Sequence, residues 1–168
     1  MMHQAALTCQ VLLLLFHQVT TFVDLYPFNG ARFYARREKA IELAVNAVLM
    51  LLAIIGTAGN YPALFLYAVI YYVVLFGIEF TIWWVPYLTN PSGIGRRAYN
   101  LALALGTSDF APGDTLGRWI QIYERIHAKT IIVLPRAMGR VTPNLEHSIL
   151  HAWTLITALA TIAAYIRR

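Results

Sequence analysis

Four apolar blocks dominate this chain, each long enough to cross a hydrocarbon core of about 30 Å, a distance that takes roughly 20 helical residues. They run from about Ala5 to Leu25, Ala40 to Thr57, Ala63 to Tyr87 and Leu145 to Tyr165. The third is rich in tyrosine and β-branched residues, but it is far too long for a strand and reads as a tilted helix. With 59% hydrophobic and only 12% charged residues, the composition departs from that of soluble domains, where about a quarter of residues are charged. The fold class expected is therefore all-α: a polytopic membrane four-helix bundle forming one transmembrane domain over residues 1–168.

Local signals place the ends of these helices. Pro27 to Gly30 breaks the chain after the first block, and Gly59-Asn60-Tyr61-Pro62 makes a tight antiparallel turn between the second and third. Trp83, Trp84 and Tyr87 close the third block as interface aromatics, and Pro143-Asn144 opens the fourth. Nothing basic precedes the first block and no clean cleavage site follows it, so it is kept as a mature helix.

The connection 88–144 is too polar to span. Within it Leu116, Trp119, Ile120, Tyr123 and Ile126 recur at helical spacing, which predicts an additional cytoplasmic amphipathic helix. Asp114, after Pro112-Gly113, is its expected N-cap; Arg118, Arg125 and Lys129 are placed to meet headgroups. Arg96 and Arg97 read as headgroup anchors and Ser92 to Gly95 as a turn, not a phosphate loop. Asn90-Pro91-Ser92 has proline in the middle and is no glycosylation acceptor, and His127 reads as a solvated surface histidine, with folding back over the polar cluster as the alternative.

Basic residues set the orientation. Of thirteen lysines and arginines, eleven lie in the first and third connections, none in the second, and Arg167 and Arg168 end the chain. The positive-inside rule then puts both basic connections in the cytoplasm and both termini outside, in an integral membrane protein. The basic residues form no continuous face, so nucleic acid is not an expected partner. Cys9 stands alone, which excludes an intrachain disulfide and a CxxC pair.

The ionisable residues within the spans gather toward the cytoplasmic side. Gln10, His17 and Asp24 form a heptad-spaced stripe, Glu42 and Asn46 open the second helix, Glu79 lies near the end of the third, and Glu146, His147 and His151 begin the fourth. Charged groups facing lipid are costly, so each helix is expected to turn this polar face inward. Three readings are open. The groups can hydrogen-bond across the bundle, leaving an accessory or scaffold protein with a membrane partner or as a homo-oligomer. They can line a cytoplasm-facing pocket that binds, or binds and transforms, a membrane lipid or an amphipathic small molecule. In that pocket His17, Asp24, Glu79, His147 and His151 are the catalytic candidates, and Asn46, Tyr71, Trp83, Trp84 and Trp153 the substrate-binding ones. Or His147, His151 and Glu79 can hold a divalent metal; no other cofactor is expected. The HxxxH spacing lacks the intervening glutamate of a zinc protease, and four spans are few for a transporter.

Trp83-Trp84-Val85-Pro86-Tyr87, with Tyr123 to His127, Leu134-Pro135, and Pro143-Asn144 followed by His147 and His151, resembles a group of small four-span bacterial membrane proteins marked by WWxPY and PNxxHxxxH segments. The resemblance covers about Ile78 to Trp153, implies the four-span layout and carries no assigned activity. Phe16-His17 to Val23-Asp24-Leu25 is also similar to the first helix of sterol-isomerase-like membrane proteins. That similarity implies a pocket at one membrane face, although the order of the remaining helices departs from theirs.

Overall fold

The structure is a computed structural model that describes residues 1–89, 100–101, 116–136 and 140–168, without the side chains of 116–118. The expected turn at Ser92 to Gly95, the anchors Arg96 and Arg97, the Asp114 cap and the Arg118 side chain lie outside the described residues. Among the described residues there are helices and no strand. Four helices are long and apolar enough to cross a membrane: α1 (Met2–Phe22), α2 (Arg36–Ala58), α3 (Pro62–Leu88) and, after a shorter α4 (Leu116–Arg125), α5 (Leu145–Ile166). They pack in a ring in which α1 touches α2 and α5, and α3 closes the ring against the same two helices.

The boundaries follow local hydrogen bonding more than hydropathy. Helix α1 stops three residues before the apolar block does, because the buried Asn29 side chain takes the carbonyls of Thr20 and Val23 at 2.7 and 2.8 Å. Conversely α2 starts four residues before its block, where the Glu38 carboxylate accepts the Ala35 N–H at 2.9 Å and closes the first turn. The hairpin to α3 uses Asn60 at φ 51°, and Gly56 lets the two helices touch: a Cβ there would collide with the Leu64 backbone. Near its end α3 widens into a π turn over Phe80–Trp84, followed by Pro86, whose missing N–H breaks the regular ladder.

Small and hydroxylated residues share the space between the helices with a few large ones, and many large apolar residues face outward. On α5 Thr154, Thr157 and Thr161 are fully buried, while Ile156 and Leu159 are more than half exposed. An exterior of exposed apolar side chains over buried threonines departs from the pattern of a water-soluble bundle and matches helix packing where no hydrophobic force drives association. Gln10 joins three helices by donating to Thr57 Oγ1 and Thr161 Oγ1 at 2.9 and 3.0 Å.

The chain from α4 to α5 covers one end of the bundle as a cap. Trp119, Tyr123 and Ile126 are buried, and Gln121, Glu124 and Arg125 are exposed. The cap is stitched to the first loop by Ile131 N–H donating to Pro27 O at 2.9 Å, and to α5 by Leu145 N–H donating to Ile131 O at 2.8 Å. Gly30 of the first loop lies so close beneath it that a Cβ would sit 2.8 Å from Ile126. Two apolar cores result, one around Leu13, Met50, Phe65 and Tyr72, the other beneath the cap around Ile82, Trp83, Trp119 and Tyr123.

Candidate functional site

Between the two cores, the up-down order of the helices brings the C-terminal ends of α1 and α3 together with the N-terminal ends of α2 and α5. That arrangement gathers His17, Glu42, Glu79, His147 and His151 at the capped end. The aromatic centre is Trp83, which the wide π turn holds against both α5 and the cap. Its ring lies 3.9 Å from the His147 ring, 4.8 Å from His127 and 5.1 Å from Trp119, centroid to centroid. Trp84, the next residue, donates its indole N–H to His151 Nδ1 at 3.0 Å.

These contacts fix the tautomers of two imidazoles. An indole nitrogen can only donate, so His151 Nδ1 accepts and the neutral ring carries its proton on Nε2. Asn144 Oδ1 caps α5 by accepting the His147 backbone N–H at 2.9 Å, and it lies 2.7 Å from His147 Nδ1. That oxygen can only accept, so His147 carries its proton on Nδ1 and presents a lone pair at Nε2. Two rings one turn apart thus offer opposite hydrogen-bonding character. Asn144 is itself held by donating to Thr130 Oγ1 at 2.7 Å, and Thr130 donates on to the His127 carbonyl at 2.7 Å.

His127 is not the solvated histidine its sequence context suggests. It is 3% exposed, wedged among Trp83, Trp119 and His147, with Nε2 at 2.8 Å from the Tyr34 hydroxyl. Burial lowers its pKa from the usual 6.5 to about 3, so the ring is neutral at physiological pH. The signal available in the sequence was its place one residue after Ile126, the last apolar position of the helical stripe.

Side chains of all four long helices, Tyr34 and the cap enclose a cavity of about 680 Å³, within the range of small-molecule sites. Along α3 it extends from Tyr67 to Trp83, sixteen residues or about 24 Å at the helical rise. Its walls are mainly Leu, Ile, Val and aromatic side chains, and the polar groups concentrate beneath the cap. Glu79 is the deepest carboxyl; its Oε1 accepts from Thr154 at 3.2 Å. Its Oε2 is buried without a hydrogen-bond partner, as are His17 Nδ1, Tyr71 Oη and His127 Nδ1, and all four residues line the cavity.

No protein family, curated protein or solved structure matches this chain. The chemistry of the cavity itself is thus the guide to function.

Of the catalytic candidates read from the sequence, the fold brings His17, Glu79, His147 and His151 to this cavity, along with Asn46, Tyr71 and Trp83 of the binding candidates. Asp24 is not brought there. It is half-exposed in the first loop, held at 3.1 Å by Arg32 Nε, whose hydrogen bond keeps its carboxyl below the usual range. Trp84 stands behind the wall as the partner of His151, and Trp153 stacks on Phe16 outside the lining. The structure adds Tyr34, Glu42, Trp119, His127 and Thr154. Glu42 comes within 3.8 Å of His17 Nε2.

Among the described residues no three His, Cys, Asp or Glu side chains are placed to hold a metal ion. Within the expected set, Nδ1 of His147 pairs with Asn144, Nδ1 of His151 with Trp84, and Glu79 Oε1 with Thr154.

Proposed function

We propose that this chain is an integral membrane protein whose cavity binds a lipid or an amphipathic small molecule, with the polar end beneath the cap and the apolar body toward mid-bundle. The observation that carries this reading is one mainly apolar cavity of about 680 Å³ whose lining includes four residues, His17, Tyr71, Glu79 and His127, that each hold a buried polar atom without a hydrogen-bond partner. A buried polar group without a partner costs about 1–3 kcal/mol, and a ligand hydrogen bond removes that cost. The apolar outer surface supports insertion in a bilayer, and the basic residues Arg32, Arg36, Arg37, Lys39, Arg125, Lys129, Arg136 and Arg140 at the capped end support a cytoplasmic cap in the bacterial cell membrane. In this reading α4 is amphipathic, its exposed edge among headgroups.

A second reading, proton transfer on the bound molecule, is favoured by the opposed tautomers. His147 Nε2 would accept a proton and His151 Nε2–H or Glu79 would supply one, the pairing that acid–base chemistry requires. The accessory-protein reading is best supported by Gln10, Thr57 and Thr161, whose contacts join helices away from the cavity.

Native mass spectrometry of protein released gently from membranes tests the binding reading. One lipophilic molecule per chain is expected, lost when Ile78→Trp fills the cavity wall. Absence of any bound molecule in the unaltered protein, or its retention in the filled variant, overturns the reading.

A further inference from the structure

Among the described residues that line the cavity, the strongly exposed ones all belong to α2 and α3. Toward α1 and α5 the walls are sealed by Leu13, Thr154 and His151, none more than 2% exposed, and the Thr154–Glu79 and Trp84–His151 hydrogen bonds close the α3–α5 seam. The cap seals the end with Trp83, Trp119 and His127, none more than 5% exposed.

Between α2 and α3 the wall is different. The two helices are pressed together at Gly56 and Leu64, and Tyr67 Oη reaches the Leu49 carbonyl at 3.1 Å. Beyond that level Ile41 and Val45 on α2, and Ile70 and Val74 on α3, both line the cavity and remain 44–54% exposed. A residue that belongs at once to a cavity wall and to the outer surface stands at a mouth. All four are aliphatic, so the mouth faces hydrocarbon, and at its capped end it reaches the half-exposed Glu42.

We infer that the ligand enters sideways from the bilayer through the gap between α2 and α3, and is therefore a membrane-dissolved amphiphile with a long apolar body, not a solute delivered from water. This rests on the binding reading above. A polar head would travel along the Glu42 edge at the interface, and the apolar body would cross between Val45 and Val74 without leaving an apolar environment. Entry from the aqueous side would instead require the cap, with its buried Trp119 and Tyr123, to lift.

The test uses the full chain in phosphatidylcholine vesicles containing a long-chain alcohol with a mid-chain diazirine. Photolysis followed by peptide mapping is expected to label cavity residues such as Tyr71 and Leu75 as well as the outer surface. Ile70→Phe and Val74→Phe together narrow the mouth without touching the polar groups. They are expected to slow cavity labelling about tenfold, a barrier change of about 1.4 kcal/mol, with outer-surface labelling on α5 unchanged. Cavity labelling at the unaltered rate in the narrowed protein overturns lateral entry while leaving the binding site standing. No cavity labelling in the unaltered protein, together with no co-purified molecule, removes both. Thermal unfolding of the narrowed variant checks that it folds; if it does not, Val45→Phe alone gives the same comparison.

Discussion

Replacing Asn144 by alanine is expected to loosen the cap and release the His147 tautomer in one step. Asn144 is fully buried and makes three hydrogen bonds: it caps α5 by accepting from the His147 backbone N–H, accepts from His147 Nδ1–H, and donates to Thr130 Oγ1. Loss of an N-cap costs about 1 kcal/mol. A buried imidazole N–H left without a partner adds about 1–3 kcal/mol. Together they predict a loss of about 2–4 kcal/mol. Thr130→Val breaks only the outer link, to Asn144 Nδ2 and the His127 carbonyl, and predicts about 1–2 kcal/mol. Because the two residues share a bond, their effects fall short of additivity by about 0.5–1 kcal/mol in the double variant. Denaturant titration in detergent, read by tryptophan fluorescence, measures the energies, and ¹⁵N NMR of the imidazoles reads the tautomer. Asn144→Ala is expected to let His147 populate the Nε2–H form, and Thr130→Val is expected not to. An Asn144→Ala protein that loses less than about 0.5 kcal/mol, or that keeps a pure Nδ1–H ring, would refute the reasoning.

The other expectations bear on separate parts of the fold. His127 is held neutral against Trp83, Trp119, His147 and Tyr34, with a folded pKa below the unfolded value, so its contribution is fully present above pH about 6.5 and is lost as pH falls toward 3. The slope is about 1.4 kcal/mol per pH unit, and tryptophan emission should shift to the red on acidification, less so in His127→Gln; equal shifts in both would count against a His127 role. Gly56→Ala forces α2 from the Leu64 backbone and is expected to cost about 1–3 kcal/mol, seen as a lowered melting temperature in detergent. Asp24→Asn is expected to leave both melting temperature and bound-molecule stoichiometry unchanged, since among the described residues Asp24 hydrogen-bonds Arg32 and its own loop, away from the cavity; a loss of bound molecule would return Asp24 to the site.

Hydropathy located the four long helices because each had to bury or expose roughly twenty residues as a unit, and the turn residues Gly59 to Pro62 and Asn144 marked ends that local chemistry alone decides. Depth counting grouped His17, Glu79, His147 and His151, since rise per residue is a property of one helix. What stayed hidden depended on contacts between segments far apart in the chain. The early end of α1 comes from Asn29 reaching back to Thr20, and the charged first turn of α2 is helical through Glu38. Asp24 shares a heptad stripe with His17, but the helix ends before it, so the phase no longer applies. The burial of His127 required Tyr34, ninety-three residues away, and Trp83 was turned toward His147 by a π turn that no periodicity signals.

The account turns on a cavity that is occupied by an amphiphile and not filled by its own walls. A cryo-electron microscopy structure of the full chain in lipid nanodiscs, with a bound rigid antibody fragment to give it mass, measures this directly. The predicted result is elongated density between Tyr67 and Trp83, its polar end within hydrogen-bonding distance of His147, His151 or Glu79. A collapsed space, with Leu49 packed on Ile78 and Glu79 Oε2 paired to another side chain, would contradict it.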